Sequence, residues 1–428
     1  MARVAVIGGG LAGAAAAVRA AEAGADVVMI NAGGGATMMS SGAIDVAGDT
    51  CAPSGRPELS GREVEANLSA IMASQTHHPY TVLAGDPKDV LDDVKETLFA
   101  LFPDGGDVKF EGDGDKNLAC YSTLGTLKLT CFCPAGTAGP EKEGMERPLA
   151  LSFARLLDFD PAAWAKVAAE NAERLGIAIN PCHDTVRLGL DIDRQAPAIS
   201  AEIKDARGEL LEAIKSALKE HSDATALVLP PVLPLEARDE IMSELSEAIS
   251  IPVYELLGMP PSVHGLGFGA SLRKKLDSLG IEFVRERATG FAESDERVAA
   301  VTTAHGRQID ADAFVLATGK FLGGGIDKDP CLHETLFRLP VFKGEEPLDK
   351  IFVQKLVGLH VSDRHVLFEI GLRVDEKLRP LDQDGLMKFK NLFAAGSVLS
   401  GYNYVTEGTG SGVALATGSR AGRNAAAK

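Results

Sequence analysis

Residues 3–30 read RVAVIGGGLAGAAAAVRAAEAGADVVMI, and the order of residue types in this stretch decides the fold. Arg3 to Ile7 make a short apolar run, the pattern of a strand buried on both faces. Three glycines follow at the G-x-G-x-x-G spacing, Gly8, Gly10 and Gly13. The first permits a tight turn, the second lets backbone approach a pyrophosphate, and the third allows close helix–sheet packing. Alanine-rich sequence then runs to Gly24, a helix with its stop residue. ADVVMI is the next strand. Strand, glycine turn, helix and strand in this order predict a nucleotide- or flavin-binding βαβ unit. Its candidate ligand-facing residues are Gly8, Gly9, Gly10, Leu11, Ala12 and Gly13, because a helix N-terminus offers unpaired N–H groups to phosphate.

The stretch continues as NAGGGAT, residues 31–37. A dinucleotide fold usually ends this second strand in an acidic side chain that accepts hydrogen bonds from the adenosine ribose. Asn31 stands there instead, with an amide and no carboxylate, and Gly33 to Gly35 add no side chains. Relaxed adenosine recognition leaves FAD and FMN both open.

Further along, ATMMSSGAIDV (36–46) brings Ser40, Ser41 and Gly42 soon after the second strand, where hydroxyl and N–H groups can approach a flat ligand or phosphate. FVLATGKFLGGG (314–325) ends a strand at Thr318 and Gly319. NLFAAGSVLSGYNYVTEGTGSGVALATGSRAG (391–422) ends another at Gly396 and Ser397, then opens a helix at Gly408, Gly410, Ser411 and Gly412. That helix start would stabilise negative charge on a reduced isoalloxazine.

Between these motifs, residues 86–102 predict a helix and 107–133 strands. The breaker-rich segment 136–148 marks a loop. Residues 149–254 alternate apolar runs with amphipathic helices at 160–174, 207–220 and 235–248, a second open α/β layer. A helix over about 265–279, a strand in IEFVRE and a hairpin precede residue 314, and 321–389 is irregular and charged. The fold class is thus α/β, a Rossmann-like FAD/NAD(P)-binding fold with an inserted α/β or α+β second domain. The expected parts are flavin binding at 1–100, 256–330 and 390–428, an inserted cap domain at 101–255, and a cap or irregular segment at 331–389.

Composition narrows the function. The 428 residues carry a net charge of -17, which repels nucleic acid. The apolar runs are too short to span a bilayer. Cys51, Cys120, Cys131, Cys133, Cys182 and Cys331 are scattered, without the spacings of a zinc site or iron–sulfur cluster, so reduced thiols and no metal are expected.

The chain resembles the B subunits of anaerobic glycerol-3-phosphate dehydrogenases, within the fumarate-reductase-like flavoproteins. The resemblance is carried in order along the chain by GGGLAG, SSGAIDV, HPYTVL (78–83), LGTLKLT (124–130), PPSVHGLGFGASL (260–272), FVLATGKFLGGG and the C-terminal motif. It implies a flavin, FMN or FAD, and oxidation of glycerol 3-phosphate to dihydroxyacetone phosphate. It also implies two partners of the same complex that pass electrons to quinone. One is the A subunit, itself a flavoprotein, and the other is the iron–sulfur, membrane-associated C subunit. A cytoplasmic chain, peripheral to the membrane through a partner, fits that division of labour. Oxidising a secondary alcohol needs a base, for which His78 is the motif-supported candidate. Lys128 is the candidate for the substrate phosphate, with Arg273 and Lys274 as alternatives. Two other readings stand beside this one. The first is an electron-relay or assembly subunit, with or without flavin and with no substrate site of its own. The second is a fumarate-reductase-like oxidoreductase.

Overall fold

The stretch that decides the fold becomes β1 (Arg3–Ile7), α1 (Leu11–Glu22) and β2 (Asp26–Ile30). Gly24, at φ +83°, lies just past the helix end, where a side chain would be strained. The computed structural model describes residues 1–48, 62–103, 105–189, 193–328, 332–348, 351–360, 363 and 365–427. Cys51 and Cys331 lie outside them.

The chain divides into two units, residues 1–37, 44–103 and 272–428 forming the first, and 38–43 with 104–271 the second. In the first, β1 and β2 are joined in one parallel sheet by β3 (Glu282–Val284), β4 (Ala313–Leu316) and β5 (Leu392–Ala394). The order across the sheet is β3-β2-β1-β4-β5, the arrangement of a dinucleotide-binding fold. Three helices, α1, α2 (Pro87–Leu101) and α3 (Gly410–Ala426), pack together. Gly418 and Gly422, four residues apart on α3, face Ala12 and Ala16 on α1. A Cβ on either glycine would stand 2.4 or 2.2 Å from the carbonyl oxygen of its partner, so the two backbones touch. Buried Arg19 of α1 reaches α2, where Thr97 accepts from its guanidinium and Glu96 pairs with it.

The second unit holds a four-stranded parallel sheet in the order Val253–Glu255, Ala226–Leu229, Pro148–Phe153 and Cys182–Val186. The first three strands follow the apolar runs of the sequence. The strand at Cys182–Val186 was not expected: its residues, CHDTV, are half-buried or exposed at the sheet edge and present no apolar run. The core of this unit is mostly aliphatic, with Tyr121, Phe153, Phe159 and Trp164 as its buried aromatics. Trp164 meets Tyr121 edge-on, their ring centroids 5.4 Å apart, and its indole N–H donates to Ser122 O.

Candidate functional site

The glycine turn is packed against the sheet. Gly8 has φ +114°, and a Cβ there would lie 2.2 Å from Ala317 O, while one on Gly13 would lie 1.9 Å from Gly8 O. Gly10 is the N-cap of α1, and the Leu11 amide donates to Thr37 Oγ1 at 2.9 Å. The amides of Ala12 and Gly13 make no hydrogen bond to other described residues, as first-turn donors do until a ligand or water takes them. Asn31 lies over this turn. Its Nδ2 stands 2.1 Å from where a Gly9 Cβ would be, and its Oδ1 accepts the Gly33 amide at 3.1 Å.

The C-terminal ends of β4 and β5 converge on the same place. Gly319 (φ +75°) has room for a Cβ only 3.3 Å from Ser397 Oγ, and a Cβ on Gly396 (φ +76°) would meet Ala12 at 2.6 Å. The structure therefore brings Gly8 to Gly13, Gly319, Gly396 and Ser397 together at the carboxyl ends of β1, β4 and β5, where open α/β sheets bind ligands. The Thr318 and Thr409 hydroxyls are buried with no hydrogen-bond partner. Unfilled amides, two orphaned hydroxyls and a turn with no space for side chains fit a bound flavin nucleotide.

The start of α3 differs from its expected role. Gly412 N donates to Asp45 O at 2.7 Å, and a Cβ at Gly412 would meet the Tyr80 hydroxyl at 2.1 Å. Its amide is thus used inside the protein, which leaves Gly410 and Ser411 as the first-turn donors of this helix. Gly408 ends the short helix Tyr404–Glu407 at φ +57°, and its carbonyl accepts the Gly48 amide.

Beside this helix start lies a buried group of ionisable side chains. His78 is 0% exposed and caps the turn Pro79–Val82, its Nδ1 accepting the Tyr80 amide at 3.1 Å. Its Nε2 faces Glu407 Oε2 at 3.4 Å. Because Nδ1 accepts, the proton of the neutral ring sits on Nε2, toward the carboxylate. Glu407 also accepts from Asn403 N and Gln75 Nε2. Nearby, Asn403 Nδ2 donates to Glu369, and Lys320 places Nζ 5.1 Å above the Tyr402 ring while donating to Phe368 O. Burial pulls the Lys320 amine down to about 7, against the pull of Glu369 and Glu407.

A pH dependence follows. Lys320 is deprotonated more readily in the folded chain than in the unfolded one, whose value is 10.5. The unfolded chain thus binds more protons between these values, and the contribution of this residue to stability rises with pH from about 7 toward 10.5. Lys320→Met is expected to remove that rise. Urea midpoints of wild type and variant at the two ends of the window check it.

In the second unit the turn of Ser40, Ser41 and Gly42 is tied down by its carbonyls. Ser262 Oγ donates to Ser40 O at 2.5 Å, and His264 Nδ1 lies 3.2 Å from Ser41 O. Gly42, at φ +91°, packs where a Cβ would touch His264 at 2.6 Å. His264 Nε2 in turn lies 3.6 Å from Glu255, which accepts from Arg238 Nε at 2.6 Å and from the Val232 and Leu233 amides. Lys128 stands half-buried on the strand Leu127–Thr130, opposite Cys120.

Sequence reading missed Lys320, Glu369, Glu407, Arg238 and Glu255. Charged residues are usually read as a solvated face, and only the fold reveals them as buried. Two carried a signal: Lys320 directly follows Thr318-Gly319, and Glu407 directly precedes the glycines that open α3. Among the described residues there is no group of three or more metal-ligating side chains, and no helix is long and apolar enough to cross a membrane.

Comparison with known proteins agrees with this geometry. The FAD binding domain family matches residues 3–413. A Halobacterium salinarum protein, named as the probable B subunit of an anaerobic glycerol-3-phosphate dehydrogenase, is 30% identical over 99% of this chain and 97% of its own length. The B subunit of anaerobic glycerol-3-phosphate dehydrogenase from Pectobacterium carotovorum is 29% identical over 96% of this chain and 95% of its own. Among solved structures, a 3-ketosteroid dehydrogenase from Rhodococcus jostii is 15% identical, covering 100% of this chain and 97% of its own at a TM-score of 0.43. With its parallel sheet, its glycine turn and a match along almost its whole length, the chain is a flavoprotein that belongs to the FAD binding domain family and, within it, to the anaerobic glycerol-3-phosphate dehydrogenase B subunits.

Proposed function

We propose that this chain is the flavin-bearing subunit of a quinone-linked dehydrogenase that oxidises glycerol 3-phosphate to dihydroxyacetone phosphate. The observation that carries the reading is the relationship to B subunits of that name over nearly the full length of both chains. Residues 1–37, 44–103 and 272–428 hold the flavin and residues 104–271 form the second domain. The match to the FAD binding domain family favours FAD over FMN, with the Asn31 amide in place of the usual carboxylate. Gly8 to Gly13, Thr318, Gly319, Gly396, Ser397, Gly408, Gly410 and Ser411 form its binding surface, and Ser40, Ser41 and Gly42 are further candidates. A second flavoprotein and an iron–sulfur partner, the latter at the membrane, complete the electron path.

When bound, the flavin supplies the acceptor for the hydride of the substrate carbon. The chain must supply a base for the hydroxyl proton and a cation for the phosphate. The His78–Glu407 pair is the candidate for the first and Lys128 for the second. His78 Nδ1 accepts the Tyr80 amide and its Nε2 carries the ring proton toward Glu407, so the Glu407 carboxylate is the group that takes the hydroxyl proton and His78 orients it. His78→Asn and Glu407→Gln are each expected to slow bleaching of the flavin by substrate about 10²-fold or more, with reduction by dithionite unchanged. Lys128→Met is expected to raise KM about tenfold at unchanged kcat, the loss of one charge-assisted contact.

The complete burial of His78 favours a second reading, in which this chain relays electrons and a partner performs the chemistry. One experiment separates the two. The purified chain is examined for a visible flavin spectrum, its flavin is released and identified, and glycerol 3-phosphate is added without oxygen. Bleaching by substrate supports the enzyme, and a flavin reduced only by dithionite supports the relay. A colourless protein that neither FAD nor FMN reconstitutes overturns both.

A further inference from the structure

Lys320 is a buried amine set between two elements that face the flavin. It directly follows the Thr318–Gly319 turn at the carboxyl end of β4 and is 6% exposed. Its Nζ lies 5.1 Å from the centre of the Tyr402 ring and donates to Phe368 O. Tyr402 belongs to the segment leading to Gly410 and Ser411, the first-turn donors of α3, and its ring stands 5.6 Å from that of His78. An ammonium has three hydrogens to place, and Phe368 O is its one acceptor among the described residues. The ionisable groups around it are engaged or neutral. Glu369 accepts from Asn403 Nδ2, and Glu407 serves His78, the Asn403 amide and Gln75. Both carboxylates attract the Lys320 amine without pairing with it. Burial pushes the Tyr402 and Tyr404 phenols up, so neither carries charge. A buried amine so placed favours its neutral form, and burial brings this one down to about 7.

We propose that Lys320 compensates the charge of the flavin: its amine is neutral beside the oxidised cofactor and takes up a proton when the cofactor is reduced. Reduction by two electrons and one proton leaves one negative charge on the isoalloxazine. That charge raises the amine from about 7 toward its ordinary 10.5. A second proton then turns the Lys320 amine into an ammonium, and the buried site gains no net charge. The residue is not wholly sealed, so this proton reaches it from solvent. An ammonium fixed there stabilises the reduced cofactor more than the oxidised one. A secondary alcohol as reductant keeps the balance, since it gives up a hydride and a hydroxyl proton together. The inference rests on the flavin reading above and not on the identity of the substrate.

The test follows the flavin midpoint potential of the full-length chain against pH, by dithionite titration in the presence of redox dyes. The wild type is expected to take up one proton per two electrons below about pH 7 and two above it, so the slope of potential against pH doubles there. Lys320→Met, and Lys320→Gln, whose amide still donates to Phe368 O, are expected to take up one proton throughout. At about pH 6, where the wild-type amine is charged, both variants should also bind reduced flavin about tenfold less tightly relative to oxidised flavin. A single slope in the wild type overturns the proposal. So does a slope that lessens as pH rises, which is the titration of the flavin itself, or a doubling that persists in either variant. The first two outcomes are read on the wild type alone and do not depend on the variants folding. A chain that stays colourless with both FAD and FMN rejects the flavin reading, and the proposal with it.

Discussion

Gly13→Ala is expected to yield a protein that has lost its flavin and about 3 kcal/mol of stability or more. The added methyl would sit 1.9 Å from Gly8 O, a backbone atom that no rotamer change can move aside. Gly8 itself has no freedom to retreat, since its own Cβ position lies 2.2 Å from Ala317 O. The strain therefore passes into β1 and β4 or pushes α1 outward. Either shift displaces the Ala12 and Gly13 amides that are left to receive phosphate. Gly33→Ala is the matching control, because nothing lies within 4 Å of its Cβ position and its φ is not positive. It is expected to change stability by no more than about 0.5 kcal/mol and to keep the yellow colour. Visible spectra and urea unfolding of the two variants side by side check both claims. Equal flavin content in the two would mean that the turn does not hold the cofactor.

The contrast between these glycines explains how much of the protein was legible in its sequence. Gly8, Gly10 and Gly13 carry information because their spacing answers a geometric demand of strand, turn and helix. The five-stranded sheet follows from the same logic, since β1, β2, β4 and β5 are apolar runs, each followed within two residues by a glycine or a small polar residue. The edge strand Cys182–Val186 was not legible, because it is half-exposed and lacks a period of its own. Charge burial was not legible either. Lys320 and Glu407 lie 87 residues apart, and Arg238 and Glu255 lie on a helix and a strand whose meeting only the fold decides. His78 shows the limit most clearly. Its motif identified it, but only the structure shows that one ring nitrogen caps a turn and the other faces a buried carboxylate.

Glu255→Leu is expected to be the most damaging change in the second unit, costing about 3–5 kcal/mol. The carboxylate is completely buried and serves Arg238, the Val232 and Leu233 amides and the ring of His264. Removing it strands the Arg238 guanidinium, whose Nη2 already lacks a partner, in the interior. Glu255→Gln is expected to cost less, because its amide oxygen still accepts from the two backbone amides, although the charge opposite Arg238 is gone. The double replacement Arg238→Met/Glu255→Leu should recover much of the loss, since an apolar pair leaves no unpaired charge. Acid sensitivity gives an independent check. Burial pushes the Glu255 carboxyl up, but Arg238, His264 and the Leu233 amide outweigh it and hold the group below its ordinary 4.5. The folded chain therefore binds this proton less readily than the unfolded chain. The stability due to Glu255 is complete above about pH 4.5 and is lost as pH falls through the lower folded value. Wild-type unfolding midpoints should drop with acid in that range, and those of Glu255→Gln should drop less. A parallel fall in both would assign the acid sensitivity to other carboxylates. Because His264 bridges Glu255 and Ser41 O, the same variants should also loosen the Ser40–Gly42 turn, seen as faster amide hydrogen exchange there than in wild type.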